Sequence, residues 1–186
     1  MFTKWFRPST LDPLSVSMAG AKLADRVLVI GCSDPKLIAA LAAKAGLTGR
    51  TVAVDESPER ATNAERVALR EGALIESLSA PLYALPLESE TFDLAVLRDV
   101  LRGLEPHARQ PVIAEAQRLL RPGGRCMAID STGRSGVAAM FGGKDAAGSI
   151  TTAETIAALQ QSGYVAVRAL AEREGLVFVE AVKRNV

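Results

Sequence analysis

A chain of 186 residues is long enough for one domain with a substantial core, and 48% hydrophobic against 23% charged residues is the balance of a globular protein, not a disordered one. The 22 basic and 21 acidic side chains leave a formal net charge of +1, so there is no overall field to draw in nucleic acid or an anionic membrane. No apolar run approaches the roughly 20 residues of a membrane span, no signal peptide is visible, and only two cysteines, Cys32 and Cys126, sit in strand-like segments, which implies reduced thiols, a cytoplasmic location and no zinc site.

The N-terminal segment 1–24 reads as an arm. Phe2, Trp5 and Phe6 mix with Lys4 and Arg7, a composition that suits either a membrane-surface anchor or a segment folded back on the domain. Pro8 and Pro13 keep any amphipathic helix short and favour the second reading. From residue 25 to 186 the chain reads as a single α/β domain. Val27 to Ile30 is a continuous apolar run, as expected of a parallel strand covered on both faces. A helix over Lys36 to Ala45 follows, with Leu37, Ile38, Leu41, Ala42 and Ala45 on one stripe. Thr51 to Val54 forms a second strand ending at Asp55. Ser57 as cap and Pro58 at the first helical position then open a helix. Ala73 to Ile75 is expected as a short third strand and Phe92 to Leu97 as a fourth.

A helix carrying Val112, Ile113, Ala116, Leu119 and Leu120 stops before Pro122-Gly123-Gly124, and Arg125 to Ile129 is the fifth strand. Thr151-Thr152-Ala153-Glu154 is a capping box at the head of another helix. The last strands, Tyr164 to Leu170 and Leu176 to Val182, are joined by Glu172-Arg173-Glu174-Gly175. That link is too short for a crossover, so the pair must be antiparallel. The final strand is apolar at Val177-Phe178-Val179 and suits the sheet interior. The expected fold is a Rossmann-like, doubly wound, seven-stranded sheet, mostly parallel with one antiparallel strand near the C-terminus.

Four segments resemble the class I S-adenosylmethionine-dependent methyltransferases, particularly the type-11 group that includes quinone-biosynthesis enzymes. They are Val27-Leu28-Val29-Ile30-Gly31-Cys32-Ser33-Asp34-Pro35; Val52-Ala53-Val54-Asp55; Leu85-Pro86-Leu87-Glu88 with Phe92-Asp93-Leu94-Ala95-Val96; and Glu115 to Arg125, with its Glu-x-x-Arg and Pro-Gly-Gly. The resemblance covers about residues 20–183. It implies a cofactor lying across the carboxyl ends of strands one, two and four, at the switch point of the sheet. By the same resemblance Gly31, Cys32, Ser33, Asp55, Glu56, Ser79 and Arg98 are cofactor-binding, with Asp55 receiving the ribose hydroxyls and Leu78 to Pro81 bordering the adenine. The other ligand would be a small-molecule methyl acceptor, with no nucleic acid partner and a homo-oligomer as one possible assembly.

The sequence departs from the family pattern in four places. Val29 stands where an acid usually ends strand one, and Ser33 and Pro35 replace the second and third glycines of the turn. The acid that usually contacts adenine after strand three is missing, the aligned stretch being Leu78-Ser79-Ala80-Pro81, and the Arg102-Gly103 region replaces a frequent histidine after strand four. Ser33 or Asp34 can instead cap the next helix, with Pro35 at its first position. These features leave two function classes open: a small-molecule methyltransferase, and a non-catalytic binding or assembly protein with a decayed cofactor site. Binding of another nucleotide or nucleoside at the same cleft is a third.

No catalytic residue is evident. Asp99 is the weak candidate for a general base; otherwise it caps the short turn that follows. His107 reads as a surface residue, and Cys32 and Cys126 as buried thiols without a base beside them. The stretch Gly136 to Lys144 fails the phosphate-loop template, having Ala138 at the first glycine position and Asp145 in place of Ser or Thr. It reads as a glycine-rich loop at the active end of strand five.

Overall fold

The computed structural model describes residues 13–132 and 150–185. The aromatic residues of the arm and the glycine-rich loop 136–144 lie outside them. In chain order the elements are α1 (Leu14–Ala19), β1 (Arg26–Ile30), α2 (Pro35–Ala45), β2 (Arg50–Asp55), α3 (Pro58–Arg70), β3 (Glu76–Ser79) and β4 (Phe92–Arg98). They continue as α4 (Val100–Gly103), α5 (Pro106–Leu119), β5 (Leu120–Ser131), α6 (Thr152–Gln161), β6 (Tyr164–Arg173) and β7 (Leu176–Lys183).

The described residues form one seven-stranded sheet of order β3-β2-β1-β4-β5-β7-β6. Strands β1 to β5 pair in parallel, while β7 runs antiparallel to both β5 and β6, the single reversed strand that the short link at Glu174 and Gly175 requires. β7 lies inside the sheet, where its apolar residues are covered on both sides. Alternation along β1 divides the core. Leu28 and Ile30 join Val112, Ile113, Ala116 and Leu119 of α5 and Leu159 of α6 on one face. Val27 and Val29 join Val16 and Ala19 of α1 and Leu37, Ile38 and Leu41 of α2 on the other. Two covered faces explain why the parallel strands are apolar throughout.

Strand boundaries differ from the sequence expectation most in the third and fifth strands, and the sixth runs on to Arg173 instead of ending at Leu170. The third strand is Glu76–Ser79, not Ala73 to Ile75. It is an edge strand, paired to β2 through its backbone and through an Arg50–Glu76 ion pair at 2.6 Å, so it needs no apolar run. β5 begins at Leu120 and carries Pro122-Gly123-Gly124 within it as an irregularity, where Phe92 pairs with Leu120 and Leu94 with Arg125.

The two family motifs around β4 and α5 lock together. Glu115 Oε1 accepts from the Leu85 N–H at 2.7 Å, and Arg118 reaches Glu115, the Leu85 and Leu87 carbonyls and Ser89 Oγ. This clamp fixes the path of the chain from β3 to the start of β4.

Candidate functional site

The strand order reverses between β1 and β4, and the loops at their carboxyl ends part to leave a cleft of about 250 Å³. Gly31, Ser33, Asp55, Glu56, Arg60, Leu82, Arg98 and Asp99 are among its lining residues. Gly31 has φ +94°, and a Cβ there would stand 2.5 Å from the Arg98 carbonyl oxygen and 2.7 Å from Val100 Cγ2. The glycine is therefore demanded by the approach of the β4–α4 turn, whatever occupies the cleft. Asp34 Oδ1 accepts from the Leu37 N–H at 3.1 Å and Pro35 takes the first helical position, so α2 is capped by its own sequence.

Asp55 ends β2 with its side chain only 6% exposed. Its Oδ2 accepts from the Cys32 N–H at 2.8 Å and its Oδ1 from the Ser57 N–H at 2.8 Å. Arg60, one turn into α3, adds Nε bonds of 2.9 and 3.0 Å to the two oxygens and an Nη2 contact of 2.6 Å to Oδ1. Burial by itself would raise this carboxyl; the bonds from Arg60, Cys32 and Ser57 outweigh it and hold Asp55 below the usual range, ionised. The pairing of Arg60 with Asp55 was not expected from the sequence, where only the Ser57 cap and Pro58 marked the start of this helix. The signal was a basic residue one helical turn past a strand-ending acid.

Arg98 closes the other end of the cleft. Its Nη1 bonds Asp99 Oδ2 at 2.6 Å and its Nε lies 3.6 Å from Asp34 Oδ2. Asp99 has φ +55° and makes no cap bond to α4; its Oδ1 accepts from the Ser131 N–H at 2.6 Å, tying β4 to β5. Of the sequence-predicted residues, Gly31, Ser33, Asp55, Glu56, Arg98 and Asp99 meet in the cleft. Cys32 contributes its backbone N–H, while Ser79 turns its Oγ onto the Glu56 carbonyl at 3.2 Å, beside the cleft. Val29 is fully buried within the α1–α2 face of the core, so no side chain at that position reaches the cleft without leaving it.

A carboxylate that the sequence reading passed over lies close by. Asp130, near the end of β5, is 7% exposed, and its Oδ1 has no partner among the described residues. Arg98 pairs with Ile129 in register, which sets Asp99 and Asp130 side by side at the sheet's edge. Burial, reinforced by the Asp99 charge, pushes the Asp130 carboxyl up to about 6. It lines a second cavity, of about 240 Å³, with Ser131, Thr132, Thr151 and Thr155. Burial pushes the Cys32 and Cys126 thiols up to about 12, and His107 is exposed on α5. Among the described residues no cluster of His, Cys, Asp and Glu could hold a metal ion, and no helix is long and apolar enough to cross a membrane.

The family model described as Methyltransferase domain matches residues 27–124, more than half of the chain. The chain belongs to that family. The chain is 31% identical over 121 residues to a 2-phytyl-1,4-beta-naphthoquinone methyltransferase of Arabidopsis thaliana, a match covering 63% of this chain and 46% of the plant protein. It spans less than half the length of the curated relatives it matches. Its fold is shared with a SAM dependent methyltransferase from Aquifex aeolicus at TM-score 0.77 and 19% identity, covering 90% of this chain and 87% of the other. It is shared equally with the [4+2]-cyclase SpnF, at TM-score 0.74 and 15% identity, covering 93% and 80%. At such identities the likeness is one of fold, and the same scaffold serves different chemistry.

The family's cofactor, S-adenosylmethionine, fits the donors present. An ionised carboxylate at the end of β2 suits a ribose diol, Leu82 and Leu78 give an apolar border for a base, and Arg98 offers a guanidinium to a carboxylate. Among the described residues, Arg60 stands in the way at Asp55.

Proposed function

We propose that this methyltransferase domain transfers a methyl group from S-adenosylmethionine to a small-molecule acceptor at the C-terminal edge of β4 and β5. The observation that carries the reading is Asp55: a buried, ionised carboxylate, held by two backbone N–H groups and turned toward the cleft at the sheet's switch point. The plant relative, named for a naphthoquinone, supports an acceptor of small-molecule size.

When bound, the cofactor supplies an electrophilic methyl carbon. With Arg60 displaced, Asp55 would orient the nucleoside through its ribose hydroxyls, and Arg98, braced by Asp34 and Asp99, would hold the carboxylate of the amino-acid part. Leu82 excludes water from the apolar side. Alignment of this kind supplies much of the rate of a displacement reaction. Asp130, held near 6 beside Asp99, is the described group placed to take a proton from an acceptor entering through the threonine-lined cavity. Its carboxylate form predominates at neutral pH, as a base requires.

A second reading has an observation of its own. Arg60 already fills the bonding positions of Asp55, which favours a non-catalytic binding or assembly protein that keeps the fold. The two unpaired, buried thiols support a cytoplasmic location for either. Calorimetric titration with S-adenosylmethionine and S-adenosylhomocysteine separates the two. Saturable binding that Asp55→Ala abolishes is the expected result. Unchanged affinity in that variant would reject the ribose role.

A further inference from the structure

Asp55 has no bonding capacity left for a ligand. A carboxylate offers about four lone-pair sites, and Asp55 accepts from the Cys32 and Ser57 N–H groups and from two nitrogens of Arg60. The partners differ in what holds them. The two backbone donors belong to the β1–α2 and β2–α3 turns and cannot leave without moving the sheet. The Arg60 side chain is 57% exposed and hangs on the solvent side of the carboxylate. Among the described residues, Arg60 alone lines both the 250 Å³ cleft and a neighbouring groove of about 630 Å³ along Ser57, Glu59, Asn63 and Arg66. With the side chain in place the cleft is smaller than the roughly 300–1,000 Å³ of sites that hold drug-sized ligands. Moved outward, it would join the two spaces.

We propose that Arg60 sets the affinity and selectivity of the nucleoside site by occupying Asp55 in place of a ribose diol, so that a ligand binds only by displacing the guanidinium toward the outer groove. This rests on the cofactor reading above. Two neutral hydroxyls must replace one bidentate, charge-assisted contact. A ligand lacking either hydroxyl would leave an oxygen of Asp55 unpaired while still evicting Arg60. The wild-type site is therefore weak and demands the intact diol, and the identity of residue 60 tunes both properties. Salt acts in a sign that is diagnostic: it screens the partly exposed ion pair and eases displacement.

The test uses S-adenosylhomocysteine and its 2′-deoxy analogue with the wild type, Arg60→Met and Arg60→Lys, read by titration calorimetry. The NMR signal of the Arg60 Nε–H reports the ion pair independently. Arg60→Met should bind S-adenosylhomocysteine about ten-fold more tightly than wild type, with Arg60→Lys between. Raising the salt from 0.05 to 0.5 M should tighten wild-type binding and leave Arg60→Met unchanged. The Arg60 Nε–H should be slow to exchange alone and lose that protection when the ligand is added. If the wild type binds and Arg60→Met binds no tighter, this inference falls and the cofactor reading stands. Weaker binding by Arg60→Met would assign Arg60 to the ligand and overturn the displacement. If neither protein binds at millimolar ligand, the cofactor reading itself falls, and this inference with it.

Discussion

Replacing Asp130 by Asn gives a stability change whose pH dependence can be worked from the structure. The Asp130 carboxyl stands at about 6 in the folded protein against 3.8 for the free side chain. That gap of about two units corresponds to roughly 3 kcal/mol at 1.36 kcal/mol per unit. The shift is upward, so the folded state binds the proton more tightly. The stability it contributes is complete below about pH 3.8 and is lost as the pH rises through about 6. An Asn cannot titrate, so the variant escapes that loss. It also brings a second buried N–H donor and changes the packing, but these costs do not depend on pH. The useful quantity is therefore the wild-type-to-variant stability difference at pH 7.5 minus the same difference at pH 4. It should favour the variant by about 2–3 kcal/mol, read from urea unfolding of both proteins at each pH with the slope m unchanged. A difference that stays constant from pH 4 to 7.5 would show that burial and Asp99 do not raise the Asp130 carboxyl, leaving it an ordinary, weak carboxylate base and removing the argument for it as the proton acceptor. The variant should also lose methyl transfer while keeping its affinity for S-adenosylhomocysteine, since Asp130 lies outside the cleft lining.

Glu115→Ala leaves the Leu85 N–H and the Arg118 guanidinium without their carboxylate and should destabilise by about 2–3 kcal/mol, seen as a lower urea midpoint. A midpoint unchanged from wild type would mean the Glu115–Arg118 clamp is replaced by water at no cost. Cys32 and Cys126 should resist a thiol-disulfide reagent at pH 8, because burial holds both thiols near 12. They should react only at the rate of global unfolding. Fast labelling of either in the native protein would contradict the packing described for β1 and β5.

The elements that could be read in the sequence are those whose reasons are local. Val27 to Ile30, Phe92 to Leu97 and Val177 to Val179 are apolar throughout because each strand is covered on both faces, and that requirement is written residue by residue. Ser57, Thr151 and Asp34 announce their helices by capping their own first turns, with Glu154 returning the bond to the Thr151 N–H. The reversed β7 followed from the length of one link. The third strand was misplaced because an edge strand is defined by its partner: Glu76–Ser79 belongs to the sheet through β2 and Arg50, and Leu78, alone among polar residues, gives no apolar run to mark it.

The site divides along the same line. Asp55 and Gly31 were legible as a strand-ending acid and a turn glycine. What tertiary structure alone decided is what surrounds them. Gly31 is glycine because the Arg98 carbonyl passes close to it, 67 positions away in the chain. Asp130 is perturbed because strand pairing sets it beside Asp99 and the core removes its water. Asp55 is occupied because α3 leaves β2 at an angle that returns Arg60 to its oxygens. Composition and periodicity report how each residue meets water; which charge faces which is settled only when the strands are in register.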